Sequence, residues 1–169
     1  MSFFKNLFNK KPRIQKIELA RRFDLVGRVG QGSMSKVWKA RDTMSGKVVA
    51  VKVLDLEKTK KFESRFKAEL KKPSEGEVAV ALKHPFVVKT HEYGYTLEGE
   101  QFLVMEFVDG VSLSFLIEVQ NEVMQGHRVR LMVELGEAIE YVHQQNYIHR
   151  DICPRNVVLD SEHRIKLID

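Results

Sequence analysis

The stretch YIHRDICPRNVVLD, residues Tyr147–Asp160, decides how this sequence is interpreted. It places Asp151 and Asn156 in one short segment around the start of the apolar run VVLD, which is typical of a strand. A carboxylate such as Asp151 orients a hydroxyl group and accepts its proton, and the side-chain oxygen of Asn156 is a ligand for a hard metal ion. An ordinary turn with a hydrogen-bonded aspartate has the same composition, so this segment alone leaves both interpretations open.

A glycine- and serine-rich segment, GQGSMS at residues 30–35, lies between two predicted strands, FDLVGRVG and KVWKA. Glycines in such a turn allow the backbone to approach phosphate groups and to donate its N–H groups to them. A plain hairpin turn fits the same residues. A dinucleotide-binding fold requires a helix after the glycines, and KVWKA is typical of a strand, so that fold is excluded.

One lysine, Lys52, interrupts the apolar strand KVVAVKVLDL. Burial of an ammonium group among valines is costly without an anionic partner, although a lysine on a solvent-facing sheet edge needs none. Helical facing favours Glu75 as this partner, and Glu77 and Glu69 are the alternatives. Glu75 shares a helix face with the apolar residues Val78, Ala79 and Leu82.

The remaining pattern predicts a mixture of helices and strands. A helix that Pro73 kinks or restarts is predicted for KKFESRFKAELKKPSEGEVAVALK, and a hairpin with its turn at Glu98-Gly99 for PFVVKTHEYGYTLEGEQFLVMEFV. An amphipathic helix is predicted for HRVRLMVELGEAIEYVHQQ. Its predicted apolar face consists of Val129, Met132, Leu135, Ile139 and Val142. A final strand, RIKLID, ends at Asp169, where a carboxylate can reach Mg²⁺, although a single aspartate at such a position is most often part of a turn.

These motifs occur in one order: a glycine loop, a strand lysine, a helix glutamate, the HRD segment with Asn156, and a strand ending in Asp169. In this order the sequence resembles the eukaryotic-type protein kinases from about Phe23 to Asp169. The resemblance implies an α+β fold, with a mainly antiparallel β-sheet N-lobe that has one long helix, then the first helices and the catalytic loop of a helical C-lobe. The implied parts are a basic, flexible leader at 1–22, the N-lobe and hinge at 23–108, and the beginning of the C-lobe at 109–169.

The resemblance also implies a role for each motif residue, with ATP and Mg²⁺ as the cofactors. Lys52 holds the α- and β-phosphates of ATP and pairs with Glu75. Asp151 is the catalytic base, and Asn156 and Asp169 bind Mg²⁺. The residues implied to enclose the nucleotide are Val29, Gly30, Gly32 and Val37 in the glycine loop, Ala50, the gatekeeper Met105, the hinge residues Glu106 and Val108, and Val158 beneath the base.

Three features depart from the family pattern. Ser35 stands at the third glycine of the loop, a change expected to alter loop flexibility more than ATP binding. Cys153 replaces the lysine that contacts the transferred phosphate in serine/threonine kinases, and a thiol supplies no positive charge. Arg155, where tyrosine kinases have an arginine, supplies a cation instead, so Arg155 is assigned to catalysis and Cys153 to packing. The chain stops at Asp169, and a polypeptide ending there is expected to bind MgATP weakly without phosphorylating a protein.

The net charge of +5 is unevenly distributed. Residues 1–22 contain seven of the 28 Lys and Arg and one acid, Glu18, which leaves 21 bases and 22 acids in the remainder. A nucleic-acid-binding domain more often has its charge on a folded face, so no nucleic acid is expected as a partner. The apolar residues of the leader permit weak contact with a membrane surface, although a disordered tail that adds nothing to the fold is favoured. These residues are Phe3, Phe4, Leu7 and Phe8.

Together these features favour a protein kinase that transfers the γ-phosphate of ATP to Ser/Thr hydroxyl groups of a protein, this chain being its ATP-binding and catalytic-loop fragment. The alternatives are a non-catalytic ATP-binding scaffold and, because of Arg155, a tyrosine-directed kinase. No apolar run approaches the roughly 20 residues that span a bilayer, and the single cysteine excludes an internal disulfide. A cytoplasmic location is expected.

Overall fold

The first part of the chain forms a mainly antiparallel β-sheet. The structure, a computed structural model, describes residues 16–31, 35–64 and 73–169. The sheet has the strand order β1-β5-β6-β4-β3-β2, and among the described strands only the β1–β5 pair is parallel. The strands are β1 (Lys16–Ile17), β2 (Phe23–Gln31), β3 (Ser35–Asp42), β4 (Val48–Leu54), β5 (Thr90–Thr96) and β6 (Gln101–Glu106).

Strand β4 lies between β3 and β6 and is buried on both faces of the sheet. On one face Val49 and Val51 pack in a core cluster with Phe23. On the other face Ala50 and Leu54 pack in a second cluster. Because successive side chains of a strand point to opposite faces, Lys52 belongs to the face of Ala50 and Leu54.

The described residues of the region predicted to be helical on both sides of Pro73 include two helices, α2 (Leu56–Glu63) and α3 (Glu75–Ala81). Ser74 is extended, with φ −67° and ψ 160°, and caps α3. Its hydroxyl accepts from the backbone N–H of Glu77 at 3.2 Å, and the Glu77 carboxylate accepts from the N–H of Ser74 at 2.8 Å. This reciprocal cap fixes the start of α3, so the restart predicted after Pro73 is confirmed.

The hairpin β5–β6 is confirmed with its turn at the predicted position. Gly99 has a φ of 89°, which glycine adopts without steric cost. Its N–H donates to the carbonyl of Thr96 at 3.0 Å, and the N–H of Thr96 donates to the carbonyl of Glu100 at 2.8 Å.

Residues 16–22 belong to the fold, which corrects the prediction that the whole of residues 1–22 is a flexible leader. Strand β1 adds to the edge strand β5, and the short helix α1 (Leu19–Arg22) follows it. Ile17 and Leu19 pack against the core cluster of Phe23, because an apolar side chain at a sheet edge gains from burial. Residues 1–15 lie outside the described residues.

The second part of the chain combines a small antiparallel sheet with helices. Its sheet has the order β7-β8-β9. The elements are β7 (Gly110–Ser112), α4 (Leu113–Glu118), a 3-10 helix at Glu122–Met124, α5 (Arg128–Gln144), a 3-10 helix at Pro154–Asn156, β8 (Val157–Asp160) and β9 (Ile165–Leu167). Phe86 and Val87, which precede β5, are buried in the core of this second part. No described helix is long and apolar enough to cross a membrane.

Helix α5 is present, but its buried face is turned relative to the predicted one. Val129 and Met132 are exposed, although Val142 is buried and Leu135 and Ile139 pack at the margin of the core. The buried residues are Leu131, Glu134, Ala138 and Val142. Glu134 explains why the buried face is rotated, since its carboxylate accepts hydrogen bonds from Arg164 Nε at 2.6 Å and from the backbone N–H of Ile165 at 3.1 Å. A hydrophobicity pattern cannot anticipate a buried, hydrogen-bonded acid.

Candidate active site

Lys52 is the most deeply buried charge of the candidate site, at 7% exposure. Its Nζ lies 2.9 Å from Glu75 Oε1 and also forms an ion pair with Asp169. The predicted pairing with Glu75 is therefore confirmed. Glu77 is used in the cap of α3 instead, and Glu69 lies outside the described residues. Burial lowers the pKa of Lys52, but the Asp169 and Glu75 carboxylates more than offset this and hold the pKa above its usual value.

Close packing of α3 on the sheet places Glu75 within reach of Lys52. A Cβ atom added at Gly76 would lie 2.5 Å from the ring of Tyr93, so only glycine fits at this crossing. The N–H of Gly76 donates to Gln101 Oε1 at 3.2 Å, which anchors the first turn of α3 to β6. The sequence contains one signal for this contact, the glycine next to the predicted partner of Lys52, which the helical-facing prediction does not use.

Asp169 is held beside Lys52 by the backbone of β9 and the residues after it. The N–H of Leu167 donates to the carbonyl of Phe86 at 2.8 Å, and the N–H of Val88 donates back to the carbonyl of Leu167 at 2.9 Å. The N–H of Ile168 donates to the carbonyl of Asn156 at 2.9 Å. Leu167 is thus bonded to the segment before β5 and Ile168 to the loop of Asn156, and these bonds fix the backbone that leads to Asp169.

The loop after α5 gathers three polar side chains around the carboxylate of Asp151. Asn156 Nδ2 donates to Asp151 Oδ2 and to the Asp151 carbonyl, each at 2.9 Å. Arg155 Nη2 lies 3.4 Å from Asp151 Oδ1, and Cys153 Sγ lies 3.7 Å from the same oxygen. The hydrogen bond from Asn156 and the charge of Arg155 hold the pKa of Asp151 below its usual value. Asp151 is therefore an exposed carboxylate that stays ionised.

Backbone conformation sets the direction of this loop. Arg150 has a φ of 69°, in the left-handed region that residues with a Cβ seldom adopt. His149 Nε2 lies 3.1 Å from the carbonyl oxygen of Ile168. This contact joins the loop of Asp151 directly to the residue before Asp169. Uncommon backbone conformations of this kind are concentrated at functional sites.

The residues implied to contact adenine lie around the end of β6. Met105 is buried opposite Ala50 in the β4–β6 pair. Val108 follows the strand and is half-buried, and Val158 is half-buried in the middle of β8. The Glu106 N–H donates to the carbonyl of Lys89 at 2.9 Å.

The glycine loop is described only in part. Val29 is half-exposed near the end of β2, and Gly30 is opposite Val37 in the β2–β3 pair. A Cβ added at Gly30 would meet that of Val37 at an ordinary 3.6 Å, so packing alone does not require glycine there. Gly32 lies outside the described residues.

The oxygen donors of the site fit a magnesium ion that also binds phosphate. No cluster of three or more His, Cys, Asp or Glu side chains suited to a metal occurs in the described residues. Asn156 uses its Nδ2 toward Asp151, which leaves its Oδ1 as a free acceptor, and Asp169 has a second carboxylate oxygen besides the one paired with Lys52. One carboxylate and one amide oxygen suffice for Mg²⁺ when phosphates and waters complete its coordination.

Comparison with known proteins identifies this arrangement. The family described as "Protein kinase domain" matches residues 23–169. The chain belongs to the protein kinase family. The α+β protein kinase fold inferred from the sequence is thus confirmed.

Curated protein kinases resemble the chain over most of its length. A probable serine/threonine-protein kinase of Streptomyces coelicolor is 32% identical over 156 residues, 89% of this chain and 22% of the relative. Serine/threonine-protein kinase PknB of Mycolicibacterium smegmatis is 33% identical over 156 residues, 89% of this chain and 24% of the relative. PknA of Mycobacterium tuberculosis is 30% identical over 164 residues, 94% of this chain and 36% of the relative. The chain thus spans about a quarter to a third of these relatives.

Proposed function

We propose that this chain is the nucleotide-binding and catalytic-loop part of a serine/threonine protein kinase, which transfers the γ-phosphate of ATP to hydroxyl groups of a protein. The observation that supports this function best is the buried Lys52 ammonium, paired with Glu75 at 2.9 Å and with Asp169. Three charges from separate elements meet there at a cost in desolvation that a purely structural site rarely bears. The names of the relatives support serine/threonine over tyrosine specificity.

The same site has two subsites for ATP. The adenine subsite consists of backbone groups of Glu106 and Val108 with the apolar side chains of Ala50, Met105 and Val158. The phosphate subsite consists of Lys52 and the glycine loop, in which Val29, Gly30, Gly32 and Val37 cover the nucleotide. Asn156 and Asp169 would hold Mg²⁺, which supplies charge neutralisation between the phosphates.

Asp151 and Arg155 divide the chemistry of transfer between them. A carboxylate whose pKa is depressed is a weak base, so Asp151 acts mainly by orienting the substrate hydroxyl and accepts its proton late. Phosphoryl transfer through a loose transition state needs orientation and charge stabilisation more than strong base catalysis. Arg155, 72% exposed and 3.4 Å from Asp151, supplies the cation that Cys153 does not.

Binding of MgATP by the 169-residue chain tests the nucleotide site. We expect Asp169→Asn to weaken MgATP binding by about tenfold or more, because a metal ligand is lost. The same change should matter much less for ATP in excess EDTA, where no metal bridges the phosphates to the protein. Asp24→Asn is the matched control, since Asp24 is an exposed acid on β2. Titration calorimetry with each variant gives the affinities, and equal MgATP affinity for both variants would contradict the proposal.

The role of the catalytic loop is tested by measuring the rate of phosphoryl transfer. This measurement uses a longer form of the protein, one that phosphorylates a substrate. We expect Arg155→Ala to lower kcat about 100-fold, as for loss of a charge that acts on the transition state. Cys153→Ala should change kcat little. Equal damage from both changes would show that no cation has replaced the missing lysine, and MgATP binding without any transfer would favour the non-catalytic scaffold.

The remaining proposals concern the surroundings of the kinase. A protein substrate is expected. The absence of a nucleic acid partner and the cytoplasmic location stay predictions. The predicted membrane contact of the leader involves residues outside those described.

A further inference from the structure

An ion pair joins the hinge to the strand that leads to Asp169. Lys166 Nζ lies 2.9 Å from Glu106 Oε1. Both side chains are mostly sheltered, with exposures of 19% for Lys166 and 29% for Glu106. These residues are sixty positions apart and lie in different sheets, β9 and β6.

The carboxylate of Glu106 is fixed from a second side. The same Oε1 accepts the backbone N–H of Lys89 at 2.8 Å, and the Glu106 N–H donates to the Lys89 carbonyl at 2.9 Å. The position of Glu106 relative to the start of β5 therefore does not depend on Lys166. Backbone bonds of Leu167 to Phe86 and Val88 already place β9 beside the segment before β5, and Lys166 adds a side-chain connection from β9 to the Glu106 carboxylate itself.

Lys166 lies in β9, three residues before Asp169. The N–H of Ile168 donates to the carbonyl of Asn156, and the carbonyl of Ile168 contacts His149 Nε2. The segment from Lys166 to Asp169 therefore has contacts at both of its ends. A shift of β9 relative to β6 would change the separation of Asp169 from the hinge. ATP has to reach both, since its base and its phosphates are joined covalently.

We propose that Lys166 is a positioning residue that sets the distance between the adenine subsite at the hinge and the phosphate and metal subsite at Asp169. This inference rests on the proposed function, because it concerns the same nucleotide site. The Glu106 side chain then has a role of its own, separate from the backbone contact assigned to this residue. A ligand that uses both subsites depends on the ion pair, and a ligand that uses only the hinge does not.

Adenosine and MgATP distinguish these two kinds of ligand. We expect Lys166→Met to weaken MgATP binding by about threefold to fivefold, the range for loss of one partly exposed ion pair. Adenosine affinity should stay within about twofold of the unaltered chain, because Lys89 still holds Glu106 in place. Lys166→Arg keeps the cation and should restore most of the MgATP affinity. Titration of the complete 169-residue chain and of the two variants with each ligand, by calorimetry or NMR, gives the six affinities.

Lys89→Met is the matched control, since Lys89 contacts Glu106 through its backbone and its side chain is exposed. It should leave both affinities unchanged. An equal loss for adenosine and MgATP in Lys166→Met would assign the ion pair to stability alone and overturn the inference. Unchanged MgATP binding in Lys166→Met would overturn it as well. An unaltered chain that unfolds cooperatively but binds neither ligand would instead overturn the proposed function.

Discussion

Lys52 allows a prediction about stability that follows from unequal burial of an ion-paired cluster. The lysine side chain is 8% exposed, whereas its partners Glu75 and Asp169 are 48% and 40% exposed. Water can therefore rehydrate the two carboxylates if the lysine is removed. The buried ammonium group cannot be rehydrated in the same way if the carboxylates lose their charge. We expect Lys52→Met to be tolerated and the double change Glu75→Gln/Asp169→Asn to be costly.

The magnitudes follow from the same exposures. Two ion pairs to half-exposed carboxylates contribute about 1 kcal/mol each or less. Lys52→Met loses that amount, but it also removes the desolvation cost of a buried ammonium and adds about 1–2 kcal/mol from burial of an apolar side chain. The free energy of unfolding should then stay within about 1 kcal/mol of its original value. Glu75→Gln/Asp169→Asn leaves a buried cation with only neutral acceptors and should cost about 2–3 kcal/mol.

Urea unfolding of the complete chain at pH 7 measures both changes. The free energies are extrapolated to water from transitions with equal m-values, so that the comparison reflects the folded state. Glu137→Gln/Asp24→Asn neutralises two exposed acids and is the control for the change in net charge. MgATP affinity, measured in parallel, should fall strongly in Lys52→Met although its stability does not.

One outcome would refute this reasoning about Lys52. If Lys52→Met lost as much stability as Glu75→Gln/Asp169→Asn, then attraction within the cluster would outweigh the burial of its members. The cluster would then be a structural element first, and the argument that its cost indicates function would fail.

Three further predictions concern stability. Gly110→Ala should lower the free energy of unfolding by about 2–4 kcal/mol, because the added Cβ would lie 1.9 Å from a backbone carbonyl oxygen of β8. Gly136→Ala, with open space around it in α5, should instead raise the free energy of unfolding by about 0.5–1 kcal/mol. Chemical denaturation measures both changes. The raised pKa of Lys52 means that its charge stabilises the fold below pH ~10.4 and that this contribution is lost as the pH rises through the folded-state pKa. The difference in unfolding free energy between the original chain and Lys52→Met should thus be constant from pH 7 to about 9.5 and decrease above about 10.5. Ile17→Ala/Leu19→Ala should lower the unfolding free energy by about 2 kcal/mol, since both side chains pack on the core, and an unchanged melting temperature would contradict that packing.

Local signals were enough to predict many elements. The turn at Glu98-Gly99, the restart of a helix after Pro73 and the strand around Lys52 each depend on neighbours in the sequence, and the structure has all three. The choice of Glu75 over Glu77 also followed from local geometry, because residues three and four apart share a helix face. These interactions are short-range, so a single sequence contains the information that determines them.

Contacts between distant segments were decided only by the tertiary structure. The Lys52–Asp169 pair spans 117 residues and the Glu106–Lys166 pair spans 60, and no periodicity connects such positions. The buried face of α5 was mispredicted for the same reason, since Glu134 is buried by its hydrogen bonds to β9. Likewise residues 16 and 17 join the sheet as β1, where the edge strand β5 lies beside an apolar core. The sequence by itself determined which residue types can form the nucleotide site. Packing of the two parts of the chain around Phe86 and Leu167 decided which of these residues come into contact. The physical reason is that long-range contacts depend on the relative positions of whole helices and strands.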